Sequence, residues 1–102
     1  MKYYILEGKE AVPADLLTWG RWFESTENRA VAKTDIGDVR VSTVFLGTDY
    51  RFGEGPPLLF ETMVFGGMLD QDMERYTTWE EAEQGHAEMV ARVKENEDAN
   101  PR

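Results

Sequence analysis

The segment Val39 to Gly67 constrains this chain more than any other. It reads V-R-V-S-T-V-F-L-G, then T-D-Y-R-F-G-E-G-P-P, then L-L-F-E-T-M-V-F-G-G. Two apolar runs of strand length flank a loop rich in glycine, proline, aromatic and charged residues. The pattern predicts the central hairpin of a small sheet. Its loop, Thr48 to Pro57, is longer than the usual two to five residues of a hairpin connection. Leu58 to Phe65 is apolar on both faces, as a central strand should be. The inward face therefore stays open. Thr43, Phe45, Phe60 and Val64 would line an uncovered face if the opposite parity packs under the helices.

The flanking chain supplies the remaining elements. Lys2 to Leu6 reads as a first strand, turned at Gly8-Lys9, with Glu10 to Val12 pairing back. Pro13 suits the first turn of a helix. From there Leu16, Trp19, Gly20 and Phe23 recur at helical spacing. Gly20 inside such a helix costs up to about 1 kcal/mol against alanine, so close packing against the sheet is the expected compensation. Arg29 to Asp35 alternates as a strand and D-I-G-D turns it into Val39 to Leu46. Met73 to Thr77 reads as a last, edge-suited strand. Thr78-Trp79-Glu80-Glu81 spells a capping box. Trp79, Ala82, His86, Met89 and Val93 then form one stripe at spacings of three and four.

These elements predict an α+β protein. It has one antiparallel sheet of about five strands, with two helices, about 13–25 and 78–95, packed on one face. Residues 1–95 would form one domain and 96–102 a polar, frayed tail.

Composition narrows the function classes. Among 102 residues Asp plus Glu outnumber Lys plus Arg by 20 to 11, a net charge of -9. That argues against nucleic-acid binding and against an anionic membrane surface, and it favours a basic protein partner. The absence of cysteine removes disulfides, thiolate zinc sites and a Cys nucleophile, and fits a reducing compartment. No apolar run approaches the roughly 20 residues that span a bilayer. The expectation is a cytoplasmic protein without cofactor.

Three places hold candidate chemistry. In the loop, Asp49, Arg51 and Glu54 offer charge, while Tyr50 and Phe52 offer contact area. The competing reading is a packed loop whose Phe52 plugs the core. Glu61 lies in an apolar strand, where an unpaired carboxylate is costly to bury. A partner such as Arg40 or Arg51, or a wet face, is therefore expected. His86, the single histidine, reads as a satisfied residue at the core edge. No second poised group stands at matched spacing, so no catalytic residue and no metal ligand set is assigned.

The strings V-S-T-V-F-L-G, G-x-G-P-P-L-L-F-E-T-M-V-F-G-G and R-Y-x-T-W-E-E-A-E-x-G-H resemble a family of small uncharacterised proteins of tailed phages and prophages. The resemblance runs from Arg21 to Val93. It implies expression in a host cytoplasm. The family's loop often reads L-D-H-x-F, and Tyr50 stands here where that histidine would be. That departure favours contact over catalysis.

The leading expectation is a non-enzymatic protein that binds a host or phage protein through Asp49, Tyr50, Arg51, Phe52, Glu54, Glu61 and Arg40. Inhibition of a host nucleic-acid enzyme or defence factor would fit. One rival is a small-molecule binder or enzyme built on Glu61, Arg40 and the loop. Another is a structural homodimer joined through an open sheet face.

Overall fold

A computed structural model describes residues 2–26, 29–51 and 53–99. The order is β1 (Tyr3–Glu7), β2 (Glu10–Ala14), α1 (Leu16–Ser25), β3 (Ala30–Ile36), β4 (Val39–Phe45), β5 (Phe60–Phe65), β6 (Met73–Tyr76) and α2 (Trp79–Ala99). The α+β class stands. The expected single sheet does not: β1 and β2 form a two-stranded sheet, and β3-β4-β5-β6 form a four-stranded one. All neighbours are antiparallel. No strand of one sheet ladders with a strand of the other among the described residues; the two are linked by an isolated bridge between Tyr3 and Thr48 and by a bond from Tyr4 N to the Gly47 carbonyl.

Pro13 explains the first boundary error. It lies in β2 opposite Tyr4, at the outer edge of a hairpin, where a missing N–H breaks no ladder. The N-cap is Asp15, whose Oδ1 accepts from Thr18 N at 2.8 Å and whose carboxyl is held below its ordinary value by that bond. The second helix starts as its capping box predicts. Thr78 Oγ1 accepts from Glu81 N at 3.1 Å, and Glu81 Oε1 accepts from Thr78 N at 3.0 Å. It then runs to Ala99, past the expected end at 95, so 96–99 are helical; 100–102 lie outside the described residues.

The helices do not share the sheet equally, and α1 reaches the α2-facing side only through Trp22. The long helix covers the four-stranded sheet, and α1 packs against β1. Trp19 and Tyr3 have ring centroids 4.9 Å apart, and Trp22 stands edge-on to Phe45 at 5.6 Å. Leu16, expected on the inward stripe, is 60% exposed. Gly20 has open space where a Cβ would sit, so close packing does not explain it.

Beneath α2 the interior forms two apolar clusters. One holds Val39, Val41, Val64, Met89 and Val93. The other holds Phe45, Leu59, Phe60 and Ala82, with Tyr4, Trp22 and Trp79 packed against it. Between them lie Thr43, Thr62 and His86, all buried. Thr43, Phe45, Phe60 and Val64 thus face α2. The parity left open by β5 is resolved in their favour as core.

Candidate interaction surface

The opposite sheet face carries no helix, and register decides its contents, because residues directly opposite in antiparallel strands share a face. Arg40 opposes Phe65, Ser42 opposes Met63, and Val44 opposes Glu61. Glu61 in turn opposes Arg75, and Met63 opposes Met73. On the other side Asp35 opposes Arg40 and Lys33 opposes Ser42. The centre is apolar, made by Val44, Met63, Phe65 and Met73. Phe65 is 49% and Met73 41% exposed.

Four of the five charges on this face are paired within it. Glu61 Oε2 receives Arg75 Nε at 3.0 Å, with both side chains less than a third exposed. Neither Arg40 nor Arg51 fills that role. Arg40 instead donates to Asp35 at 2.8 Å, at the far end of β4. Four residues separate it from Val44, about 13 Å along a strand. The Asp35 carboxyl is held below, and the Arg40 guanidinium above, its ordinary value by this hydrogen bond and the paired charge.

The loop closes on itself through Asp49. Its Oδ1 accepts from Arg51 N at 2.9 Å and from Leu58 N at 3.1 Å. Its Oδ2 lies 2.8 Å from Arg51 Nε, and the Asp49 side chain is only 8% exposed. Arg51 also donates to the Gly55 carbonyl. Asp49 and Arg51 are therefore staples of the loop, Asp49 buried and Arg51 partly exposed. Tyr50 is available: half-exposed, with the Arg75 guanidinium 4.8 Å from its ring centroid. Glu54 is exposed among the bends of the loop tip. Phe52 lies outside the described residues.

Of the expected site residues, the structure thus joins Tyr50 and Glu61, through an arginine that sequence reasoning did not single out. Arg75 was visible only as an edge-strand charge, because its partner depends on the β5–β6 register. His86 is engaged as expected. Its Nδ1 lies 2.7 Å from Thr43 Oγ1 and its Nε2 2.8 Å from Thr34 Oγ1. Among the described residues, no three His, Cys, Asp or Glu side chains converge as a metal site, and no helix is long and apolar enough to cross a membrane.

Comparison with protein-family models, with curated proteins and with solved structures finds no match to this chain.

Proposed function

We propose that this protein is a non-enzymatic interaction protein, binding a protein partner on the uncovered sheet face and the wall that Tyr50 adds to it. The observation that carries the reading is the half-exposed apolar centre of that face, framed by ion pairs already satisfied within the chain. Such a patch loses free energy to water, and covering it leaves no member of these pairs without its counter-charge. Glu61 is neutralised by Arg75 and His86 is sealed between threonines, which weakens the rival acid–base reading.

The area sets the class of contact. Four strands spaced at about 4.8 Å, with some six residues at about 3.4 Å each, give roughly 400 Å². A standard interface buries about 800 Å² per partner, so this face alone suits a small, transient contact. The phage resemblance points to a host or phage protein in the host cytoplasm as the partner, such as a host nucleic-acid enzyme or defence factor.

Charge favours a second reading. The face carries Lys33, Arg40 and Arg75 against Asp35 and Glu61, while the α2 sequence alone holds seven carboxylates and two cations. The acidic excess lies elsewhere, so a second copy of this acidic chain would meet least repulsion here. The partner of this face then need not be basic.

The test compares wild type with Phe65→Asp/Met73→Asp, equally folded by circular dichroism. Each is immobilised against lysate of the organism carrying the gene. A stoichiometric partner recovered by wild type and lost by the variant is expected. No partner, or one retained by the variant, rejects the leading reading. A dimer in sedimentation velocity that the same variant abolishes would establish the second.

A further inference from the structure

The four-stranded sheet ends on one side at β3, and among the described residues no strand pairs with that edge. Two backbone bonds fix which groups face it. Phe45 N donates to the Arg29 carbonyl, on the β3 side, and Leu46 N donates to the Leu59 carbonyl, on the β5 side. Hydrogen bonding alternates along an antiparallel strand, so Thr43, Val41 and Val39 bond toward β3 as Phe45 does. Their partners there are Ala32, Thr34 and Ile36. Lys33 and Asp35 therefore turn their N–H and C=O groups away from β4, to the open edge. An edge of this kind is a template for a further strand.

The residues of the edge say which strand fits. A second β3 laid antiparallel, with a two-fold axis at Thr34, sets Lys33 of each copy directly opposite Asp35 of the other. These are the outward-bonding residues, so each such pair exchanges two backbone bonds. On the uncovered face each pair also brings an ammonium to a carboxylate. Lys33 is exposed and, among the described residues, is the one charge of that face without an ion pair in the chain. Asp35, held from one side by Arg40, is 62% exposed and keeps lone pairs to accept from the other. On the α2 side Ala32 would meet Ile36, a small apolar pair. Sliding by two residues sets Lys33 opposite Lys33, or Asp35 opposite Asp35, and like charges so placed repel. A lone lysine would guard the edge against pairing, but Asp35 two residues on turns it into a match. The other edge strand, β6, is only four residues long, and a short edge is a poor template.

We propose that two copies of this chain pair antiparallel through their β3 edges, joining two four-stranded sheets into one of eight strands. The two-fold axis stands perpendicular to the sheet. Both α2 helices then lie on one side and both uncovered faces on the other. The joined face has roughly 800 Å², twice that of one copy, and so reaches the area per partner of a standard interface. The edge pairing does not depend on what that face binds; only this gain in area rests on that reading.

Sedimentation velocity of the full chain over a concentration series tests this, with each variant checked for fold by circular dichroism. Wild type should pass from monomer to dimer with a Kd on the order of tens of micromolar, as suits so small a contact. Lys33→Asp and Asp35→Lys each set like charges opposite one another, and each alone should weaken the dimer about ten-fold or more. An equimolar mixture of the two restores opposite charges at both pairs and should dimerise at near wild-type strength. Amide exchange locates the contact. The Asp35 amide in Lys33→Asp, and the Lys33 amide in Asp35→Lys, should exchange faster than in wild type, while Thr34, bonded to β4, stays slow. Phe65→Asp/Met73→Asp should dimerise as wild type does. A monomeric wild type overturns the proposal and leaves the edge to a foreign strand. A dimer that either charge variant keeps at full strength, or a mixture that stays monomeric, overturns it as well. So does a dimer lost in Phe65→Asp/Met73→Asp, which would put the contact on the uncovered face.

Discussion

His86 crosses the interior at the point where the two apolar clusters divide. Thr34, His86, Thr43 and Thr62 form one chain of hydrogen bonds, with Thr43 and Thr62 hydroxyls 2.5 Å apart. A neutral imidazole donates at one nitrogen and accepts at the other, and threonine hydroxyls can match either tautomer. Burial pushes the His86 pKa below its ordinary 6.5. Between the folded and ordinary values the unfolded chain holds more protons, so stability rises with pH there. It should be complete above about 6.5 and fall as pH drops below that value. Urea titrations between pH 8 and 5 should show this slope in wild type and its absence in His86→Gln. Asp15 and Asp35, both lowered, lose their contributions only as pH falls through 3.8 and below. Thr43→Val should cost about 1–3 kcal/mol at pH 8, by stranding its partners in the interior. The histidine's place on an apolar stripe was legible in the helical spacing. Its partners were not, because they lie on strands whose inward parity β5 hides.

At the scale of elements, two glycines in helices behave oppositely. Gly20 faces open space, whereas a Cβ on Gly85 would come within 2.2 Å of the Tyr76 ring. That ring is packed against the helix, and burial pushes its phenol pKa up. Gly20→Ala should therefore add up to about 1 kcal/mol through helix propensity. Gly85→Ala should instead lose about 1–3 kcal/mol through overpacking, less the same propensity gain. Urea midpoints of the two variants, moving in opposite directions from wild type, check this. Sequence offered the same residue type in both helices and no means to rank them, since the difference lies in what each faces across the fold. Pro13 shows the same limit. It is as permissible on a hairpin edge as in a first helical turn, and Asp15 was the better N-cap. The capping box at Thr78, in contrast, is local, and it was read correctly because both of its bonds lie within four residues.

The whole molecule is long for its size, and the reason lies in how its two sheets meet. Its radius of gyration is 15.0 Å, with extents of 50 × 31 × 19 Å. A compact chain of this length would have a radius of about 13 Å. The hairpin and α1 stand beyond one end of the four-stranded sheet. They are joined to it by a chain of rings that passes from Tyr3 through Trp19, Phe23, Trp22, Phe45 and Phe60 to Trp79. Gly47 is the other junction. Its carbonyl accepts from Tyr4 N at 2.9 Å and Trp19 Nε1 at 3.0 Å, and its φ of +81° leaves room for the Phe23 ring where a Cβ would clash. The expectation of one five-stranded sheet failed here because strand patterns reveal pairing partners only between neighbours in sequence; the junction between residues 3 and 48 is long-range. The joint predicts a weak seam. Trp22→Ala removes the edge-on contact with Phe45 at the middle of the ring chain, while leaving the other cluster beneath α2, Val39, Val41, Val64, Met89 and Val93, intact. Amide exchange should then rise across residues 3–25 and stay slow in 39–45, 60–65 and 79–93, as expected for local opening of a separate unit. Equal acceleration in both regions would mean that hairpin, helix and sheet unfold as one. In that case the ring chain couples the two sheets as strongly as backbone pairing would.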